Sequence, residues 1–138
     1  MASIAPRPDQ LQEALADVPQ GVPIVMLNML RFRETAAYPD GRPAISGRAA
    51  YAKYSAEASK QVAQVGGSLV WIGEALGSVI GPPDEQWDQI FLIRYPSFEM
   101  FIRMINSAAY QDIVVHRTAA LKDSRLIATR ENENPRPP

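Results

Sequence analysis

The segment at residues 23–32, PIVMLNMLRF, constrains this chain more than any other. It is too apolar for a strand with one face in water, so a fold that accepts it must cover both faces. Alternation along an extended backbone places Ile24, Met26, Asn28, Leu30 and Phe32 on one face. Val25, Leu27, Met29 and Arg31 fall on the other. Asn28 is thus a polar group in an apolar row.

The remaining elements arrange themselves around that strand. Residues 8–18 read as a short helix, with Asp9 as the expected N-cap and Gln12 in capping-box spacing. Leu11, Leu15 and Val18 form its apolar stripe. Residues 33–47 form a loop around the turn Tyr38-Pro39-Asp40-Gly41. Residues 48–65 form the strongest helix, with Ala50, Tyr54, Ala58, Val62 and Val65 on one stripe, and Gly66-Gly67 closes it. A second strand is expected over 68–80, with a bend, a bulge or a close backbone approach at Gly73 and Gly77, and a third over 87–95, the two pairing as an antiparallel hairpin. Ser97 caps a helix whose apolar face is Phe98, Phe101, Ile102 and Ile105. Asn106-Ser107 interrupts, a helix follows over 108–121, and a last strand over 123–130.

That order, a helix and then β-α-β-β-α-β, is the ferredoxin-like α+β arrangement: a four-stranded antiparallel sheet with helices on one face. The expected layout is an N-terminal helical extension over 1–21, the ferredoxin-like domain over 22–130, and a polar, proline-rich, disordered tail over 131–138. Helices on one side leave the other sheet face open, although the strands are apolar on both sides. A second copy covers such a face symmetrically, so a homodimer is expected.

Composition removes several function classes. A length of 138 residues suits one domain. Fourteen basic and fifteen acidic residues give a net charge of −1, which offers no electrostatic footprint for nucleic acid and no polybasic segment for a membrane. There are no cysteines, so disulfides and thiolate chemistry are excluded. No Asp/Glu/His spacing suggests metal ligation, and no cofactor is expected. The opening MASIAPRPDQ lacks a secretory core, and no apolar run approaches the ~20 residues of a membrane span, so a cytoplasmic location is expected.

Five stretches, VMLNMLRFRE, AYAKY, GGSLVWIGEALGSVIG, WDQIFLIRYPSFEMFIRMINSAAYQ and RTAALKDSRLIA, resemble the family called domain of unknown function 1330, of the dimeric α+β barrel superfamily. The resemblance covers roughly residues 22–130. It implies paired ferredoxin-like subunits whose sheets face each other, and it implies no particular reaction. Several members of the wider superfamily hold small ligands between sheet and helices.

The residues that could carry chemistry are few. Asn28 suits a ligand-orienting amide or a buried amide bonded to nearby backbone. Arg94, on an apolar strand, suits a clamp for a carboxylate or oxyanion, or a structural ion pair with Glu74 or Asp88. Asn28 and Arg94 are expected to line one cavity. His116, the single histidine, is the acid-base candidate, or else a packing residue. Trp71, Tyr51 and Tyr54 suit an aromatic pocket or the core. Glu74 suits a general base if buried, or a solvated edge charge. Two function classes follow. One is a ligand-binding homodimer that acts on an organic acid or aromatic without a cofactor; the other is a non-catalytic dimer binding a metabolite or protein.

Overall fold

The strand Ile24–Phe32 (β1) lies inside the sheet, as its two apolar faces demand. The computed structural model describes residues 2–138. Around β1 stand α1 (Pro8–Asp17), α2 (Gly47–Gln64), β2 (Ser68–Glu74), β3 (Gln89–Tyr95), α3 (Phe98–Ile105), α4 (Ala108–Ala120) and β4 (Leu121–Thr129). The sheet order is β2-β3-β1-β4, and every pairing is antiparallel, which is the ferredoxin-like α+β fold.

Register fixes which side chains share a face. Met26 pairs with Ile93 and Ala128, Asn28 with Phe91 and Leu126, and Leu30 with Gln89 and Ser124. This face carries the core: Ile24, Met26, Leu30, Phe91 and Tyr95 are buried with Tyr54, Phe98, Phe101 and Tyr110 of the helices. The opposite face carries Val25 beside Arg94 and Thr129, Leu27 beside Leu92 and Ile127, and Met29 beside Ile90 and Arg125. Trp71 joins it opposite Leu92. On this second face Trp71 and Ile127 are 52% and 50% exposed. One of the two covering layers required by β1 is therefore the chain's own helices.

Serines set the helix starts. Ser46 Oγ accepts from Ala49 N at 3.0 Å, Ser97 Oγ from Met100 N at 3.2 Å, and Ser107 Oγ from Tyr110 N at 3.1 Å. Ser107 Oγ also donates to the Met104 carbonyl at 2.7 Å, so one side chain ends α3 and begins α4. Gly66, at φ +80°, closes α2 in the left-handed conformation that glycine adopts without strain.

Three local expectations are corrected. Asp9 does not cap α1: Arg7 occupies the cap position without a side-chain bond, Pro8 opens the helix, and Asp9 instead holds the Arg7 guanidinium at 3.1 Å. α1 buries none of its residues, so its stripe is only a shallow contact. The second strand stops at Glu74 rather than at 80. Its partner β3 begins at Gln89, directly opposite Glu74, and no strand remains to pair residues 75–80. Leu76, Val79 and Ile80 are consequently 96–99% exposed. The bulge falls between Leu69 and Trp71, not at either glycine. Gly73 instead lies beneath the Trp71 ring, which sits 2.7 Å from where a Cβ would be. No helix among the described residues is long and apolar enough to cross a membrane.

Candidate functional site

A cleft of about 1310 Å³ runs between the buried sheet face and the helices. All four strands contribute to its lining, as do α1–α4. The volume exceeds the usual range for small-molecule pockets, and most of the wall is apolar or aromatic. Its polar groups are therefore conspicuous.

The central ones are phenols. Tyr51 and Tyr54 lie three residues apart on α2 and share its inner face. Tyr110 sits in the first turn of α4, fixed there by the Ser107 cap. The Tyr54 and Tyr110 hydroxyls meet at 2.9 Å, and the Tyr51 and Tyr54 rings are 5.2 Å apart. Burial pushes the Tyr51 phenol up to about 12, although the nearby Arg117 charge pulls it down. Burial, reinforced by Tyr110, pushes Tyr54 up as well, and burial does the same to Tyr95. These phenols are hydrogen-bond donors throughout the physiological range.

Asn28 also lines the cleft; its Nδ2 donates to the Met26 carbonyl at 3.2 Å. Three arginines border the cleft, Arg48, Arg117 and Arg125; of these, Arg125 stands opposite Met29, so its guanidinium lies on the outer sheet face. Arg48 pairs with Glu74 at 2.9 Å and lies 4.8 Å from the Phe32 ring centroid. That bond holds the Glu74 carboxyl below its ordinary range, and Gln89 Nε2 adds a second donor at 3.3 Å. Glu74 is thus an ionised, exposed salt-bridge partner at the sheet edge. Arg125 pairs with Asp123 at 2.7 Å and Glu85 at 3.4 Å.

The remaining sequence candidates lie elsewhere. Arg94 is paired with Val25 across the ladder, so it projects from the face opposite Asn28. Asn28 and Arg94 therefore do not share a cavity, which corrects that expectation; residue spacing within one strand cannot reveal the register between two. The partner of Arg94 is Glu131 at 3.2 Å, rather than Glu74 or Asp88. Trp71 occupies the same outer face as Arg94.

His116 is half-buried on α4, outside the cleft lining. Its Nδ1 lies 2.6 Å from the Tyr38 hydroxyl. Burial and then the charges of Arg42 and Lys53 lower its pKa, against the pull of Asp40. The imidazole is neutral at pH 7, and a single proton lies between its Nδ1 and the Tyr38 oxygen. Arg42 covers the Tyr38 ring at 4.0 Å and is ion-paired with Asp40. Together with Ala37 N donating to the Ala119 carbonyl at 2.8 Å, these contacts fasten the 33–47 loop to the end of α4.

Tyr110 and Arg117 were absent from the sequence candidates, yet both line the cleft. With Val114 they stand at i, i+4 and i+7, a spacing that marks one helix face.

Comparison with known proteins places these features in a family. The family model described as Domain of unknown function (DUF1330) matches residues 37–130. No match is found among curated proteins. The methylated RPA0582 protein is 40% identical, with 96% of each chain covered and a TM-score of 0.89. The RPA0582 protein of unknown function from Rhodopseudomonas palustris is 38% identical over 97% of this chain and 100% of that one, with a TM-score of 0.88. A dimeric protein of unknown function and ferredoxin-like fold from Bacteroides fragilis is 7% identical, covers 79% of this chain and 96% of its own, and has a TM-score of 0.51. At that identity the likeness concerns the fold alone.

Proposed function

The chain belongs to the family described as Domain of unknown function (DUF1330), and on that premise we propose that it is a homodimeric small-molecule-binding domain with its ligand seated in the sheet–helix cleft. One observation carries this reading. Two phenols brought to 2.9 Å possess two O–H protons, but the bond between them uses only one. The second proton is a donor within an aromatic-walled cleft, and a carbonyl or carboxylate oxygen on a ligand is its natural acceptor. Asn28 adds an amide to the same wall. Burial raises the pKa of Tyr54, as it does that of neighbouring Tyr51, so these phenols serve as donors rather than bases. This chemistry suits the recognition of an organic acid or a carbonyl-bearing aromatic, and it would also stabilise an oxyanion formed on such a molecule.

Titration of isotopically labelled protein with a library of small aromatic acids and ketones tests the cleft. Shifts are expected to cluster at Asn28, Tyr54 and Tyr110, and Tyr110→Phe is expected to weaken binding by roughly tenfold. Shifts confined to the outer surface, or no shifts from any compound, would discard the cleft as the ligand site.

The homodimer half of the proposal rests on the outer sheet face. Leu27, Met29, Ile90 and Leu92 lie there half-buried, with Trp71 and Ile127 more exposed. A second copy laid on this face supplies the covering layer that β1 requires. Sedimentation is expected to give a dimer for the native chain and a folded monomer for Leu92→Arg. A native chain sedimenting as a monomer at micromolar concentration would rule this out.

A further inference from the structure

Charge matching around the cleft is uneven. Of the arginines that border it, Arg48 holds Glu74, and Arg125, whose guanidinium lies on the outer sheet face, holds Asp123 and Glu85. Among the described residues, no carboxylate lies within 4.0 Å of Arg117. Its visible partners are neutral: its Nη1 donates to the Ile4 carbonyl, and the Tyr51 phenol is close enough for its charge to be felt. A guanidinium has five N–H donors in a planar fork, so these neutral contacts leave most of its capacity unused. The phenols around it do not compensate, because they remain protonated at neutral pH. The acidic residues in the wall, Glu13 and Asp17, come from α1, the helix that buries none of its residues.

We propose that Arg117 is the anion anchor of the cleft, and that the ligand is an organic monoanion: one carboxylate on an apolar, ring-sized body. The proposal rests on the cleft being the ligand site. The single negative charge follows from the single unmatched cation. A phosphate ester or dicarboxylate would bring a second charge that the wall leaves uncompensated. The apolar body follows from the aromatic lining formed by Tyr51, Tyr54, Phe91, Tyr95 and Phe98. The carboxylate takes the planar fork of Arg117, and the spare phenol proton of the Tyr54–Tyr110 pair serves a remaining lone pair of the same group.

The test compares isosteric pairs: phenylacetate with phenylacetamide, cinnamate with cinnamamide, and naphthoate with naphthamide. Each is titrated by calorimetry and by nuclear magnetic resonance. At least one acid is expected to bind roughly tenfold or more tightly than its amide, and to shift the Arg117 Nε–H resonance. Arg117→Met is expected to bring the acid down to the affinity of the amide while leaving the amide within about twofold. Arg117→Gln, which retains a donor for Ile4 without the charge, is expected to do the same and serves if the first variant does not fold. Amides that bind in the cleft as tightly as their acids would overturn the anchor and leave the ligand site standing. An acid preference that survives both substitutions would do likewise. If neither acids nor amides enter the cleft, the anchor and the ligand site both fall.

Discussion

Raising the pH above 10 is expected to destabilise this protein steeply, by about 8 kcal/mol at pH 12, enough to unfold a domain of ordinary stability cooperatively. Three buried tyrosines set the limit. Tyr51 is pushed from the ordinary 10.0 to about 12, chiefly by burial, and burial drives Tyr54 and Tyr95 in the same direction. The folded chain then holds these protons more tightly than the unfolded chain does. Below pH 10 both states are protonated and the stabilisation is fully present. Above it the unfolded chain ionises first, and stability falls as pH rises toward the folded values. Each such group removes about 1.4 kcal/mol per pH unit. For Tyr51 alone that amounts to about 3 kcal/mol by pH 12. Three groups together remove about 4 kcal/mol per unit, against a total stability of about 5–15 kcal/mol for a domain. Tyrosinate absorbance and far-ultraviolet circular dichroism, followed together, provide the check. Coincident changes are expected. A tyrosinate signal of full amplitude with its midpoint near pH 10 and the fold intact would show that the cleft phenols are solvated.

Gly47→Ala is expected to destabilise the fold by about 3 kcal/mol, at the upper end for overpacking. An added Cβ would lie 2.1 Å from the Arg33 carbonyl oxygen, 2.7 Å from the Ala120 oxygen and 2.8 Å from the Arg33 nitrogen. All three are main-chain atoms and cannot turn aside as a flexible side chain can. They belong to the point where the chain leaving β1, the start of α2 and the end of α4 converge. Exchanging glycine for alanine within a helix usually gains about 1 kcal/mol, but the steric conflict is larger and of opposite sign. Gly77→Ala is the control, since nothing lies within 4 Å of that position. Urea unfolding of the two variants should separate them clearly. A Gly47→Ala midpoint at or above that of the native chain would contradict the close packing described.

Much of the fold was legible in the sequence because its elements announce themselves locally. The alternation from Ile24 to Phe32, the Gly66-Gly67 stop and the serines before α3 and α4 all act within a few residues of where they stand. The end of β2 was not legible. The run ALGSVI is as strand-like as the segment before it, and only the start of β3 opposite Glu74 decides that pairing stops there. The site divided in the same way. Tyr54 and Asn28 were recognisable as inward-facing groups on their own elements. The separation of Arg94 from Asn28 depends on register between strands, which no single strand encodes. The Tyr38–His116 bond spans 78 residues, and the unmatched state of Arg117 becomes visible only once the ion pair of Arg48, the other inward guanidinium of the cleft, is known.

The segment before α1 is held in a way that bears on how its composition can drift. Ser3 N donates to Asp123 Oδ1 at 2.9 Å, the Ser3 carbonyl accepts from Ser124 Oγ at 2.6 Å, and the Ile4 carbonyl accepts from Arg117. Every one of these bonds ends on a main-chain atom of the segment, while the gripping side chains belong to the body of the domain. Such a clasp reads the presence of a backbone and ignores most of what is attached to it. Substitutions at residues 3 and 4 that preserve the amide should leave the clasp in place, so mutational tolerance is concentrated on the clasped segment and intolerance on Arg117, Asp123 and Ser124.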